Sequence, residues 1–229
     1  MEAKVTQVLR SWYIPSGEKR SSRRRWFCIR YERHVKTLLF TGYLLYITML
    51  AFDIAFATCF GYTITSHYIS ELGTAAVIPF PLFHDSIAIL GGCITVLSNF
   101  YYFKRLKVQY RRSRSSKVFV KLGFGSGILG AIGYIFLGIF SLDRGGPGGA
   151  FHGIAMGCSF GGFIGGIFLY SLNIILTHKC KLKHVGWYGM TFPVMCLVVF
   201  MCLGLPLTEW LLLGSILLFL LPFDYYMFK

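Results

Sequence analysis

The residues of this chain that could do chemistry are Asp53, His67, Ser70, Glu71, His84, Asp85, Asp143, Arg144, His152 and Glu209. Histidines with carboxylate partners suit zinc. His67, His84 and His152 would be the ligands, and the ion would activate water for lipid or amide hydrolysis. No HExxH or other fixed ligand spacing accompanies them, and the seven cysteines form no Cys-x-x-Cys pair. The same groups suit a polar network that pins loops and recognises a lipid or glycan headgroup. They also suit the plain mutual satisfaction of buried polar groups. An enzyme and a binding protein both fit this set.

Local spacing narrows how these groups meet. The segment 63–85 is too long and too polar at its start for a hairpin turn. A short helix ending at Gly73 would place His67 and Glu71 at i, i+4 on one face. Pro79 and Pro81 then break the chain ahead of His84-Asp85. Gly145-Gly146-Pro147-Gly148-Gly149 is a turning loop that lets Asp143, Arg144 and His152 approach one point. It is not a phosphate-binding loop, because no Gly-Lys-Ser/Thr follows it. Asp53 lies about 16 residues into an apolar run, roughly 24 Å along a helix. An acid at such a depth is costly and marks a functional position by default.

The elements that carry these residues are apolar. Of 229 residues 55% are hydrophobic and only 14% charged, against about 25% charged in a soluble domain. That excludes a disordered chain, a disulfide-rich secreted module and a cytosolic enzyme. Six runs cover about Thr37–Tyr62, Phe83–Phe103, Val118–Phe140, Phe151–Leu176, Val185–Leu203 and Leu207–Phe223. Each is near the ~20 residues that a helix needs to cross a bilayer. The fold class is therefore all-α: an integral, multi-pass membrane protein with a bundle of six transmembrane helices over 37–229, after a basic arm over 1–36. The opening residues are too long and too basic for a cleavable signal peptide.

Charge orients the spans. Of 23 Lys and Arg, all but Arg144 fall on one face: in the arm, after the second and fourth spans, and at Lys229. The positive-inside rule makes that face, and both termini, cytoplasmic. The net charge of +14 sits in short blocks beside apolar runs, which points to anionic lipid and away from nucleic acid. Arg23, Arg24 and Arg25 are the candidate lipid contacts, with Trp12, Tyr13, Trp26 and Phe27 interleaved at headgroup depth. The acids Asp53, Glu71, Asp85, Asp143 and Glu209 gather at the opposite, outer mouth.

Glycine spacing predicts helix packing. Gly153, Gly157, Gly161 and Gly165 form an i, i+4 ridge on the fourth span, and the third span carries Gly123, Gly127, Gly130, Gly133 and Gly138. Lipid supplies no hydrophobic drive between helices, so close backbone approach must hold them. The ridge is expected to pack the fourth span against the third, with a homodimer face as the alternative.

The stretch His67-Tyr68-Ile69-Ser70-Glu71-Leu72-Gly73-Thr74, followed by Pro79, Pro81 and Phe83, resembles a family signature. It is similar to the Tyr-Ile-Ser-acidic-x-Gly-Thr motif after the first span of the six-span Frag and damage-regulated autophagy modulator families. These include Sfk-like proteins and the GPI-remodelling amino-terminal domain of the Cwh type. It is equally similar to the prokaryotic domain-of-unknown-function family 998. Gly138–Gly153 resembles a second shared element, a Gly-x-Phe-x-x-Asp turn with a histidine opening the fourth span. The likeness covers about Thr37–Phe228. It implies six spans with cytoplasmic termini and a role in lipid homeostasis, GPI-anchor remodelling or autophagy-related membranes. Carried over, it points to Ser70, Glu71, Gly73, Asp143 and His152. The expected partners are membrane lipids and other membrane proteins. The alternatives are a membrane-embedded metal-dependent hydrolase and an adaptor that works through its basic arm.

Overall fold

A computed structural model describes residues 22–109, 114–177 and 182–228. The arm over 1–21 and the side chains of Arg23, Arg24 and Arg25 lie outside the described residues. Among the described residues six α-helices follow in order: α1 Ser22–Thr58, α2 Pro81–Gln109, α3 Arg114–Ile139, α4 Ala150–Thr177, α5 Lys183–Leu203 and α6 Pro206–Phe228. A short 3₁₀ turn, Ile69–Gly73, sits between α1 and α2. There is no strand among the described residues. The chain forms two units, Met1–Leu38 and Leu39–Lys229. The described part of the first is the opening stretch of α1. The second holds the rest of α1 and the five other helices.

All six helices are long and apolar enough to cross a membrane. The shortest such stretch, Pro206–Tyr225, has 20 residues and so extends about 30 Å at the helical rise. Burial supports the same conclusion from the outside. Phe40, Leu44, Phe52, Leu129, Met201 and Leu218 are exposed, while Asp53, Ser98, Asn99, Ser159 and Asn173 are buried. Exposed apolar surface on this scale has no place in water and suits hydrocarbon. Some of these buried polar side chains bond within the bundle, as Asn99 does. Its amide donates to the Thr95 carbonyl at 3.0 Å, and its oxygen accepts from the Tyr170 hydroxyl at 3.4 Å.

Helix ends are punctuated as the sequence requires. α1 stops at Thr58, four residues before the expected Tyr62. Gly61 turns the chain at φ 88°, and the Tyr62 amide returns to the Ala57 carbonyl at 3.2 Å. α5 ends at left-handed Gly204 and α6 opens at Pro206, the preferred residues for those two places. The two-residue link holds α5 and α6 as a tight hairpin.

The third and fourth spans form a closely packed hairpin, but not through the expected ridge. A methyl group at Gly153, Gly157 or Gly161 would touch nothing, so this ridge faces out of the chain. Only Gly165 meets α3, at the Ser126 side chain. The contact lies on the neighbouring stripe. A methyl at Gly162 would lie 2.3 Å from the Gly130 nitrogen, and one at Gly133 would lie 2.5 Å from the Ser159 nitrogen. The Ser126 hydroxyl bonds the Gly162 carbonyl across the pair at 3.0 Å. Both stripes satisfy a small-residue rule, and only the crossing of α3 and α4 decides which is used.

Neither backbone at the Gly130–Gly162 contact can yield as a side chain could. Gly162→Val should therefore cost about 2–3 kcal/mol or more by overpacking. Gly157→Leu should change monomer stability by less than ~0.5 kcal/mol. Thermal melts of the two purified variants in detergent check this, and the prediction fails if Gly157→Leu is the worse of the two.

Candidate functional site

Four chain segments meet at the end of the bundle formed by the α1–α2, α3–α4 and α5–α6 connections, here called the mouth. The start of α2 supplies His84 and Asp85. The 3₁₀ turn supplies Ser70. The α3–α4 connection supplies Ser141, Asp143 and Arg144, and leads into His152 at the start of α4. The first turn of α6 supplies Glu209. Asp53 reaches the group from near the end of α1.

Two glycines let these segments approach. A methyl at Gly138 would lie 2.5 Å from the Asp85 carbonyl, so α3 and α2 touch backbone to backbone there. A methyl at Gly73 would lie 3.0 Å from Asp85 Oδ1 and 3.2 Å from Ser141 Cβ. The glycine at 73 thus seats the 3₁₀ turn directly on the α2 and α3 ends.

The acids and bases form two paired systems. In one, Asp53 is fully buried, and its Oδ2 takes the Nδ1–H of His84 at 2.8 Å. In the other, the Arg144 guanidinium pairs with Asp85, with Nη2 donating to Oδ2. Arg144 Nε also donates to the Ser141 hydroxyl at 2.8 Å, and that hydroxyl donates to Asp143 Oδ1 at 2.9 Å. Asp143 Oδ2 accepts from the Ala75 amide at 3.2 Å. One chain of charge-assisted bonds therefore ties α2, the α3–α4 connection and the loop before α2 together.

His152 is held by the backbone. Its Nδ1 donates to the Phe140 carbonyl at 2.9 Å. Glu209 is buried, and its Oε2 accepts the Ile69 amide at 2.8 Å, which anchors the 3₁₀ turn to α6. These groups surround a cavity of about 40 Å³ lined by Ser70, His84, Asp85, Ser141, His152 and Glu209 on its polar side. Tyr134, Leu137, Met156, Phe160 and Leu213 form its less polar side. At about 10–15 Å³ for each water, the space takes roughly three water-sized groups.

The ten mouth residues thus separate. Ser70, His84, Asp85, His152 and Glu209 share the cavity wall. Asp53 stands behind His84, and Asp143 and Arg144 stand behind Asp85. Glu71 and His67 lie elsewhere. Glu71 Oε2 accepts the Tyr68 amide at 2.9 Å and so caps the 3₁₀ turn. His67 precedes that turn instead of sharing a helix face with Glu71. Its Nδ1 accepts from the Thr63 amide at 3.3 Å, and its ring lies 5.2 Å from that of Tyr62. The structure therefore does not bring His67 to His84 and His152. Among the described residues no group of three or more His, Cys, Asp or Glu is placed to hold a metal ion.

Tyr134 and Ser141 are site residues that the sequence did not mark. Tyr134 lies in the middle of an apolar run, and its hydroxyl bonds that of Tyr46 at 2.7 Å. Ser141 sits three residues before Arg144, a signal visible only once the turn is known.

No family model matches the chain, and neither a curated protein nor a solved structure does.

Asp143 lies outside the spans, and its pKa reflects its partners. Burial pushes it up, but the Ala75 amide, the Ser141 hydroxyl and the Arg144 guanidinium together hold it below the usual carboxylate range. A depressed folded pKa stabilises the fold above the unfolded value of about 4, and that stability is lost as pH falls through the lower folded value. Asp143→Asn should therefore melt below wild type at pH 7, with the gap closing under about pH 4. A gap that is constant with pH, measured by thermal melts, would show that this carboxylate is not held as described.

Proposed function

We propose that this chain is an integral membrane protein with a lipid-linked role, which recognises or helps remodel lipid headgroups at the outer or lumenal leaflet. The observation that carries this reading is the mouth cavity. It lies where apolar spans end, and its wall joins buried imidazoles and carboxylates to apolar side chains. A lipid presents the same two chemistries at that depth, a polar head beside hydrocarbon. The exposed apolar faces of the bundle provide the setting. With the basic loops cytoplasmic, the mouth opens on the outer side. The resemblance to the Frag and damage-regulated autophagy modulator families points the same way.

The arm has a separate part in this reading. Arg23, Arg24 and Arg25 would meet anionic lipid at the cytoplasmic surface and hold the chain's orientation there. Glycine-ridge contacts to a second copy and contacts to other membrane proteins are compatible with the outward faces.

The two working parts separate by deletion and point change. Native mass spectrometry of detergent-purified protein would count the retained lipids. We expect lipid on wild type and on a variant lacking residues 2–30, and its loss in Ser70→Ala/His152→Gln with the melting temperature retained. Lipid held equally by the mouth variant, or lost only with the arm, would overturn the proposal.

A further inference from the structure

Beside the hydroxyls of Ser70, Ser141 and Tyr134, the imidazoles and carboxylates on the mouth cavity's wall present acceptors. A carboxylate or carbonyl oxygen can only accept, so the Nδ1 of His84, facing Asp53, and the Nδ1 of His152, facing Phe140, both carry the ring proton. In the neutral ring, each Nε2 is then a lone-pair acceptor. Neither Nε2 has a partner among the described residues, and both residues are more than nine-tenths buried on the cavity wall. Asp85 and Glu209, also buried, add carboxylate oxygens. The one strong donor nearby, Arg144, is already engaged by Asp85 and Ser141.

An acceptor-rich wall repels a phosphate and welcomes a donor-rich cation. A primary ammonium supplies three N–H donors and one positive charge. Its bulk with one adjoining methylene is near the roughly three water-sized places of the cavity. We propose that the group seated at the mouth is the primary ammonium of an ethanolamine-type lipid head. Acceptors of this wall, the Glu209 carboxylate foremost, take its hydrogens. A quaternary trimethylammonium head has the charge but no N–H to give.

This inference rests on the lipid reading of the mouth, and its test separates the two. The purified protein is offered phosphatidylethanolamine, phosphatidylcholine and phosphatidylglycerol with matched acyl chains, and retention is read by native mass spectrometry. Soluble ethanolamine is tested apart by thermal shift. Phosphatidylethanolamine should be retained about tenfold or more over the other two, a difference worth ~1.4 kcal/mol. Glu209→Gln and, independently, the cavity-narrowing Ala88→Val should each bring it down to the phosphatidylcholine level. His67→Ala, off the cavity, should not. If Glu209→Gln fails to fold, Ala88→Val decides. Equal retention of phosphatidylcholine, a preference for phosphatidylglycerol, or full retention by both variants overturns the ammonium assignment while leaving a lipid at the mouth. Stabilisation by ethanolamine with no lipid retained keeps the ammonium assignment and overturns the lipid reading.

Discussion

Arg144 cannot stand alone at the end of an apolar bundle, and its pairing with Asp85 organises the mouth. The guanidinium is half-exposed, whereas the carboxylate is almost fully buried. A buried carboxylate without a partner is strongly destabilising, so the α3–α4 connection must fold back over the start of α2. That return sets the Ser141 and Asp143 bonds and delivers the chain to the first turn of α4, where His152 meets the Phe140 carbonyl. Asp143 in turn fastens the loop before α2 through the Ala75 amide. One ion pair thus fixes the relation of three helix ends.

Behind this pair the bundle follows from the solvent. Hydrocarbon offers no hydrogen bonds, so polar side chains turn inward, where some find one another, as with Tyr46 and Tyr134 or Asn99 and Tyr170. Glycine makes room for them. A methyl at Gly127 would lie 2.2 Å from the Asn99 amide oxygen. Close backbone contact and internal polar pairing are therefore one arrangement seen from two sides. Together they explain why glycines and polar residues share the same apolar runs.

Much of this was legible in the residues. Run lengths gave the six spans, because hydrocarbon thickness sets a minimum that few sequences meet by chance. The Gly145–Gly149 turn followed from glycine and proline placement; of the three residues it was expected to gather, Asp143 and Arg144 pair at 3.5 Å, while His152 bonds the Phe140 carbonyl. The short helix ending at Gly73 is present, but as 3₁₀ over Ile69–Gly73. His67 falls before it, so an i, i+4 relation with Glu71 never forms. That α3 meets the neighbouring stripe of α4 was not legible for a different reason. Spacing reveals which residues share a face, but not which face meets a neighbour, and glycine is at home against either helix or lipid. The Asp53–His84 pair could not be read at all, since its members are 31 positions apart with a loop between them.

The glycines of α4 also bear on how the protein is made. Six lie between Gly153 and Gly166, on both the inward and the outward stripes. Each weakens an isolated helix in water by about 1 kcal/mol relative to alanine. Such a segment has little reason to coil before it leaves water. The bilayer supplies the reason, because an unpaired backbone is intolerable there. Coiling of α4 is thus favoured far more by hydrocarbon than by water, and the α3–α4 contact needs both backbones already coiled.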